Sequence, residues 1–369
     1  MKVILSRPEL SKLIGNIQSV VSNKPAIPIL ANILIKAGNG QLTVSATDLT
    51  VSMQAHMEAT VEEEGAITLP ARRFFQLVRE LTTGEIELTT TPDELAYIHA
   101  GSSSFRLNGM NQSEFPSLPD MTEAENFTIE SEVLKGALSR SVFAAAREDS
   151  RHVLNGVLMQ IHDSKATFIG TDGKRLAKLS LPIQISGDHV SQYLIPLKAV
   201  EEIIKSLDGE DPVRISLMSD RIGMEKEGTT LITKLLSGQY PDVERVIPKS
   251  SAIQLTLHRE ELMALLKQVA LFTTDKSHSV HFTLTQGELT LTATSSEIGE
   301  GKVSMPVDYS GEIFEIAFNP FFFHDILRHS HDETVQFGLT SPHNPGLITD
   351  STEAHFVVMP MRLAAVAPT

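Results

Sequence analysis

Alternating hydrophobic and polar positions predict pairs of β-strands that recur three times along the chain. The first pair covers 32–37 and 42–47, and Asn39-Gly40 between them favours the two-residue turn of a β-hairpin. The second pair covers 158–162 and 166–171 around Asp163-Ser164, and the third covers 281–285 and 288–294 around Gln286-Gly287. The copies recur every 124 and 123 residues, which indicates an internal repeat.

Helical periodicity accompanies each hairpin, once before it and once after a further pair of strands. The predicted helices span 6–21, 71–81, 130–148, 196–207, 258–273 and 319–329. Ser6 and Glu9 predict a capping box at the start of the first helix. The order helix, strands, helix, strands in each copy predicts an α+β fold with antiparallel sheets.

Turn-rich segments precede the second and third copies of the repeat. Phe115-Pro116 and Tyr240-Pro241 open these segments, with their prolines 125 positions apart. We therefore expect three homologous domains, at 1–125, 126–250 and 251–369. The final residues, 364–369, are expected to fray.

Composition places the chain among globular proteins, since 41% of its 369 residues are hydrophobic and 21% are charged. The absence of cysteine excludes disulfides and thiolate chemistry. The most apolar stretch, 27–35, contains Pro28 and Asn32 and is far shorter than the ~20 residues needed to span a bilayer. No signal peptide is visible at the N-terminus, and we expect a cytoplasmic protein with no membrane partner.

Charge is unevenly distributed along the chain. The whole chain carries −15, whereas the six helical segments with their flanks (6–24, 71–82, 130–151, 196–208, 258–276 and 319–330) carry +3. The basic helix residues expected to face solvent are Lys12, Arg72, Arg73, Arg79, Lys135, Arg140, Arg147, Lys198, Lys205 and Lys267. They are either ordinary solvated helix faces or, if the helices of three similar domains line one side of an arc, a surface that contacts phosphates without reading bases. Two such arcs would close into a ring with a basic lumen.

Motifs for enzymatic chemistry are weak. The segment from Thr171 to Arg175 contains Asp-Gly-Lys but lacks the spacing of a phosphate-binding loop, so a turn at the end of a strand is the better interpretation. His324, His329 and His331 have no zinc-protease spacing and are interpreted as exposed histidines at a helix end. We predict no catalytic residue, cofactor or metal.

Several local sequences are specific enough to indicate a family. They are 24–32 (KPAIPILAN), 46–48 (ATD), 70–74 (PARRF), 154–156 (LNG), 171–176 (TDGKRL), 240–248 (beginning YPD and ending in Pro248) and 357–363 (VVMPMRL). Over 1–363 the chain resembles the bacterial DNA polymerase III beta subunit family, the sliding clamps. The resemblance implies three tandem clamp domains, each with two helices, in a head-to-tail homodimeric ring of six domains around duplex DNA. It also implies a non-catalytic processivity role, with the replicative DNA polymerase alpha subunit, the clamp loader and other proteins with clamp-binding motifs as partners.

The same resemblance implies three sets of site residues. An apolar groove for a short Gln- and Leu/Phe-bearing peptide corresponds to Leu154, Thr171, Gly173, Lys174, Arg175, Leu176, Pro241, Arg245, Val246, Asn319, Val357, Val358, Met359, Pro360, Met361 and Arg362. DNA contacts correspond to Lys24, Arg72, Arg73, Arg79, Glu148, His152, Val153 and Lys198. The dimer contact corresponds to Phe105 and Leu107 facing Leu271 and Phe272 of the second copy, although each of these four is also a candidate core residue.

Two departures from the family pattern fall within these sets. Lys174 stands where the family often has histidine, which affects peptide preference. Glu148, His152 and Val153 stand where family members can have a glutamine and paired tyrosines, which predicts a weaker grip on DNA. A peptide-binding scaffold without a DNA role is therefore the alternative hypothesis, and an enzyme is the least favoured one.

Overall fold

The computed structural model describes residues 1–22, 24–185, 190–274 and 278–362. These residues form two compact units. The first is built mainly from Met1–Lys135 and Lys198–Leu235. The second is built mainly from Gly136–Pro182 and the described residues from Leu236 onward. None of the helices within the described ranges is long and apolar enough to cross a bilayer.

All six predicted helices are present: α1 Arg7–Ile17, α2 Ala71–Glu80, α3 Ser131–Val142, α4 Leu197–Ser206, α5 Arg259–Ala270 and α6 Pro320–His329. The predicted capping box is wrong, because the Ser6 side chain makes no capping hydrogen bond. Instead, the first backbone N–H of α1, from Arg7, donates to the Gly84 carbonyl at 2.9 Å. This bond satisfies one of the donors that a helix N-terminus leaves unpaired.

Helix α3 ends six residues earlier than predicted. The backbone N–H of Ala144 donates to Ser141 and that of Ala145 donates to Val142, so the helix tightens into turns three residues long and stops. The Ser141 carbonyl also approaches Gly170, where a Cβ atom would lie only 2.1 Å away. A side chain at Gly170 would therefore displace the end of α3.

The strands of the first unit form two antiparallel sheets. Nine strands come first: β1 Lys2–Ser6, β2 Asn32–Gly38, β3 Gln41–Thr47, β4 Val51–Glu58, β5 Thr60–Glu63, β6 Gly65–Pro70, β7 Glu85–Thr90, β8 Leu95–Ala100 and β9 Ser103–Asn108. The others in this unit are β10 Glu125–Ile129, β15 Val213–Leu217, β16 Arg221–Lys226 and β17 Thr229–Lys234. The sheet orders are β5-β1-β7-β8-β9 and β10-β15-β16-β17-β4-β3-β2-β6.

The second unit also contains two antiparallel sheets. Four of its strands are β11 Gly156–His162, β12 Lys165–Thr171, β13 Arg175–Pro182 and β14 Val190–Pro196. The remaining strands are β18 Ile253–His258, β19 Val280–Thr285, β20 Glu288–Ser295, β21 Gly299–Pro306, β22 Phe314–Phe318, β23 Thr334–Leu339, β24 Gly346–Thr349 and β25 His355–Val358. The sheet orders are β14-β11-β12-β13-β25-β24-β23-β18 and β21-β20-β19-β22.

The three predicted hairpins are confirmed as β2–β3, β11–β12 and β19–β20. Their turns use the left-handed backbone conformation that the sequence indicated. Asn39 and Gly40 have φ of 51° and 74°, Asp163 has 53° and Gly287 has 77°. Positive φ at the turn matches the right-handed twist of the flanking strands.

In each eight-stranded sheet, the strand that follows a repeat hairpin pairs with a strand from the next copy of the repeat. In the first unit β4 pairs with β17, with Ser52 opposite Ile232. In the second unit β13 pairs with β25, with Leu176 opposite Val357. The two junctions are therefore built in the same register of the repeat.

The core beside β25 is aromatic. Phe282, Phe318, Phe323 and Phe337 pack with ring centroids 5.0 to 6.4 Å apart, mostly edge to face. Phe356 and Val358 of β25 belong to the same buried cluster. These contacts hold one face of β25 against the core, and its other face is left for the candidate site.

Candidate partner-binding groove and nucleic-acid interface

The segment after β12 is a tight turn, as predicted, and not a phosphate loop. Thr171 Oγ1 accepts the Gly173 N–H at 3.0 Å and donates to the Arg175 carbonyl at 2.6 Å. Asp172 Oδ1 accepts the backbone N–H groups of Lys174 and Arg175 at 2.9 and 3.0 Å. Gly173 has a φ of +82°, and a Cβ there would lie 3.1 Å from Arg151 Nη2. Glycine therefore lets the turn form beneath the Arg151 guanidinium.

A mainly apolar cavity of about 160 Å³ lies beside this turn. Nine predicted groove residues line it, namely Leu154, Thr171, Gly173, Arg175, Leu176, Pro241, Val246, Val357 and Met359. The volume suits one aromatic ring or one branched aliphatic side chain, since an apolar cavity of about 150 Å³ in another protein holds benzene. Met359 and Val246 are 37% and 40% exposed, so an incoming side chain meets them first.

Three further lining residues were not predicted: Arg151, Asp242 and Val243. Val243 reaches the cavity from a short 3-10 turn that Asp242 caps, because Asp242 Oδ1 accepts the Glu244 N–H at 3.2 Å. Aspartate after Tyr-Pro, followed by an apolar residue, is a signal of such a turn. Arg151 donates to both carboxylate oxygens of Asp149 at 2.9 Å, and these bonds lower the pKa of Asp149 to about 2.

Several predicted groove residues lie outside this cavity. Arg245 points away, is 83% exposed and bonds Asp242 Oδ2 at 2.8 Å. Asn319 caps α6 by accepting the Phe321 N–H at 2.9 Å. Val358 alternates with Val357 along β25 and is fully buried in the aromatic core, so its side chain is not available to a peptide.

The end of the described chain runs alongside the cavity. The Met359 N–H donates to the Lys174 carbonyl at 2.8 Å, and the Met361 N–H donates to the Ala317 carbonyl at 2.7 Å. Pro360 and Met361 are half-buried, and Arg362 is exposed. Two backbone bonds to different strands and turns thus hold this segment in place.

The internal repeat supplies a comparison for the cavity. In the first unit the Lys234 N–H donates to the Thr50 carbonyl at 2.9 Å, the counterpart of the bond from Met359 to Lys174. The backbone arrangement at the two junctions is therefore the same, and the differences between them lie in side chains.

Those side-chain differences make the second-unit site apolar. Ser52 stands at the position equivalent to Leu176, and it bonds the Thr47 hydroxyl at 2.8 Å. Lys234 stands at the position equivalent to Met359. Leu176 and Met359 are therefore two differences between the copies that replace a polar side chain at the junction with an apolar one.

A second cavity of about 400 Å³ adjoins the first and shares Arg151 and Arg175 with it. The rest of its lining is Val142, Phe143, Ala145, Ala146, Arg147, Glu148, Asp149, Asp172, Lys174, Leu197 and Phe322. Lys174, predicted for the groove, therefore lines this cavity and not the apolar one. The arrangement pairs a small apolar pocket with a larger, charged one.

Arg175 separates the two cavities and is fixed on every side. Its guanidinium lies 4.9 Å from the Phe322 ring centroid and 5.5 Å from that of Phe143. It also bonds Asp172 at 3.1 Å and Asp325 at 2.5 Å. Such contacts make Arg175 part of the rigid wall of the site.

Arg140, which was expected to face solvent, is buried. It forms an ion pair with Asp350, donates to the His329 carbonyl at 2.7 Å and to Thr352 Oγ1 at 3.0 Å. Burial lowers the pKa of Arg140, and the Asp350 carboxylate opposes that shift. The helical pattern could not reveal this role because the partner carboxylate lies 210 positions away in the sequence.

His329 is likewise not the exposed helix-end histidine that was expected. Its ring stacks on Phe143 with centroids 4.3 Å apart, and its Nδ1 lies 2.7 Å from the Asp325 carbonyl. Burial holds the pKa of His329 below its ordinary value. His324 is half-buried on the same helix.

The predicted DNA contacts on the first unit are mostly exposed. Arg72, Arg73 and Arg79 lie on the solvent face of α2, and Lys24 is exposed in the segment after α1. Lys198 differs, because its ammonium bonds Asp48 Oδ2 at 2.5 Å and the Val20 carbonyl at 2.7 Å. Its charge is therefore largely neutralised within the unit.

The predicted contacts on the second unit are mixed. Glu148 and His152 are exposed. Val153 is half-buried and packs on the apolar cluster that includes Leu154. A Cβ at Gly238 would lie 2.7 Å from Val153 Cγ1, which shows how closely the two are packed.

None of the four predicted dimer residues is fully buried, although Phe272 packs against the core cluster of the second unit. Phe105 on β9 is 37% exposed and Leu271 after α5 is 73% exposed. Leu107 and Phe272 are half-buried. The Phe272 ring packs closely on the β21 backbone, where a Cβ at Gly301 would be 2.3 Å from it.

Comparison with known proteins identifies the same family along nearly all of the chain. Residues 1–119, 128–242 and 244–362 match the N-terminal, central and C-terminal domains of the DNA polymerase III beta subunit. The chain is 53% identical to the beta sliding clamp of Chlamydia muridarum over 363 residues, which cover 98% of this chain and 99% of that one. It is 32% identical to the beta sliding clamp of Escherichia coli K12, over 98% of this chain and 100% of that one.

Solved structures agree. The DNA polymerase III beta subunit of Pseudomonas aeruginosa superposes with a TM-score of 0.94 at 29% identity, over 98% of this chain and 100% of that one. The sliding clamp of Bartonella birtlesii, solved bound to griselimycin, gives 0.94 at 31% identity with the same coverage.

Proposed function

Because the chain belongs to the DNA polymerase III beta subunit family, and is a non-catalytic sliding clamp, we propose that two copies close head to tail into a ring around duplex DNA. The ring is made of six domains, three from each copy, with boundaries at 1–125, 126–250 and 251–369. It acts in the bacterial cytoplasm as the processivity factor of the replicative DNA polymerase.

One observation carries the dimer proposal: neighbouring copies of the repeat are joined by pairing of their edge strands. The strand that follows the first hairpin, β4, pairs with β17, and the strand that follows the second hairpin, β13, pairs with β25. The strand that follows the third hairpin is β21, which has a sheet neighbour on only one side within the described residues. Strand β9 in the first unit is also an outer strand. A second copy supplies the missing partner, with β21 of one chain pairing antiparallel to β9 of the other.

The residues at these edges support that pairing. Strand β9 is exposed at five of its six positions, so side chains on both of its faces are free to contact another chain. Phe105 and Leu107 on β9, and Leu271 and Phe272 beside β21, provide apolar side chains for the contact. Two such interfaces form per ring, since the arrangement is head to tail.

The proposed DNA contacts are weak and sequence-independent. Lys24, Arg72, Arg73 and Arg79 present cations to phosphate, with His152 and Glu148 on a loop that adds little attraction. The Lys198 ammonium is already paired with Asp48 and adds less than its position in the sequence implied. Weak contacts suit a ring, because a closed ring is retained on DNA by topology and must still slide.

The apolar cavity beside β25 is the proposed docking site for the replicative polymerase alpha subunit, the clamp loader and other partners. The lining residues Leu176, Val246 and Met359 bind one Leu or Phe side chain of a partner peptide. The thioether of Met359 adapts to different side chains, so one groove serves several partners. Burying one such side chain contributes about 1.5–3 kcal/mol.

Topological retention on DNA tests the proposal. After loading onto nicked circular DNA, the protein is expected to remain bound through a high-salt wash, which screens phosphate contacts. Linearising the same DNA is expected to release it. Equal loss from circular and linear DNA would refute the ring.

The alternative, a peptide-binding scaffold without a DNA role, is less favoured. It explains the groove, but it does not explain the edge strands β9 and β21, which have no partner strand on their outer sides within the described residues. Binding of a polymerase peptide without any stimulation of that polymerase on primed DNA would favour the scaffold.

A further inference from the structure

Lys174 is an exposed cation at the boundary between the two cavities. Its side chain lines the larger cavity. Its backbone carbonyl accepts the N–H of Met359, which lines the apolar cavity. The ammonium makes no hydrogen bond or ion pair with any residue that the structure describes. Lys174 is therefore a cation without a carboxylate partner beside the apolar pocket.

The neighbouring cations do not share this property. Arg151 is paired with Asp149, and Arg175 is paired with Asp172 and Asp325. The acidic groups closest to the two arginines are therefore already in ion pairs. The remaining carboxylate in the cavity wall is Glu148, which is exposed and forms no described ion pair with Lys174.

The lining of the larger cavity carries four basic and three acidic residues, against a chain charge of −15. This local excess of positive charge lies next to a pocket sized for one apolar side chain. A ligand that fits both features carries an apolar group and, close to it, a negative charge.

We propose that Lys174 is a specificity-determining residue that selects partner peptides with an aspartate or glutamate beside the apolar side chain bound in the small cavity. The inference rests on the proposed docking function of that cavity. Charge complementarity identifies the occupant, because an acidic side chain is the group that Lys174 lacks within its own chain. Glu148, a carboxylate in the wall of the same cavity, disfavours such a peptide.

A protein partner is favoured over DNA phosphate for this cation. The Lys174 backbone is bonded to Met359 of the apolar cavity, and the cavity that the Lys174 side chain lines shares Arg151 and Arg175 with it. A peptide anchored in the apolar cavity therefore lies beside the cavity that Lys174 lines. Phe143 and Phe322 in the wall of the larger cavity offer apolar surface that a phosphate backbone does not use.

The test uses fluorescence anisotropy with the full-length protein and short synthetic peptides. Each peptide carries one glutamine, one leucine and one phenylalanine, and pairs of peptides differ by Asp or Asn at each remaining position in turn. The variants are Lys174→Gln, which removes the cation, and Glu148→Gln, which removes the opposing carboxylate. Nicked-circle retention of each variant measures whether the DNA function is intact.

For at least one position, the Asp peptide is expected to bind the unmodified protein about two- to fivefold more tightly than its Asn partner, the range of a solvent-exposed ion pair. Lys174→Gln is expected to abolish that preference and Glu148→Gln to increase it. Raising the salt concentration is expected to reduce the preference in the unmodified protein.

The outcomes separate this inference from the docking proposal. Equal binding of Asp and Asn peptides at every position, with tight binding retained, would overturn the role of Lys174 and leave the groove intact. No binding of any peptide would overturn both. Loss of DNA retention in Lys174→Gln with unchanged peptide preference would assign the cation to phosphate instead and overturn the inference.

Discussion

Truncating Leu271 is expected to weaken the dimer without unfolding the chain. The side chain is 73% exposed, so Leu271→Ala removes little from the core of its own unit. Fully burying a leucine contributes about 1.5–3 kcal/mol, and truncation to alanine at an interface that covers most of this side chain forfeits about 1–2 kcal/mol. A head-to-tail ring contains the contact twice, which gives about 2–4 kcal/mol per dimer, or roughly a 30- to 1,000-fold rise in the dissociation constant.

Sedimentation equilibrium over a range of concentrations measures this shift as a change from dimer to the 40.4 kDa monomer. Ile313→Ala is the matched control, because Ile313 is also 73% exposed. It lies in the loop before β22, and β22 is at the edge of the sheet opposite to β21. The reasoning is refuted if Leu271→Ala and Ile313→Ala have the same dissociation constant, because the contact at β21 would then contribute nothing specific.

Three further changes test the site and its support. Met359→Ala is expected to weaken peptide binding by about 1–2 kcal/mol in a titration, because it removes apolar surface from the cavity; unchanged affinity would place the peptide elsewhere. Arg140→Met is expected to lower the free energy of unfolding in urea by about 3–5 kcal/mol, because it leaves the buried Asp350 carboxylate without its cationic partner. Adding Asp350→Asn to the same chain is expected to restore most of the lost stability, and no restoration would argue against the ion pair. Since burial lowers the pKa of His329, protonation opposes folding, and stability is expected to fall as the pH drops below about 6.5, less so in His329→Phe; identical pH profiles would contradict this.

Local signals in the sequence were sufficient for much of the fold. Turn dipeptides such as Asn39-Gly40 require positive φ, and hydrophobic alternation around them determined which residues pair. The same logic applies to β25 and the residue after it, where alternation separates Val357 and Met359 on the groove side from Val358 in the core. Periodicity of two residues therefore carried information about both the fold and the site.

Long-range contacts account for what the sequence did not reveal. Arg140 occupies a helical position that pattern alone places at the surface, and it is buried because the loop between β24 and β25 supplies Asp350 as its partner. Lys198 was predicted as a DNA contact, and its pairing with Asp48 also depends on residues 150 positions apart. Such partners are brought together only by tertiary packing, which a local pattern does not encode.

Covalent closure of the ring tests the central claim most directly. The chain has no cysteine, so Ser104→Cys on β9 and Lys302→Cys on β21 introduce the only two thiols per copy, which a short bifunctional maleimide can join across each interface. If two chains encircle DNA, a dimer that is loaded on nicked circular DNA and then cross-linked at both interfaces is expected to stay with the circle even in detergent, and to be released when the circle is cut. Dissociation of the cross-linked protein from uncut circles in detergent would show that the DNA does not pass through the ring.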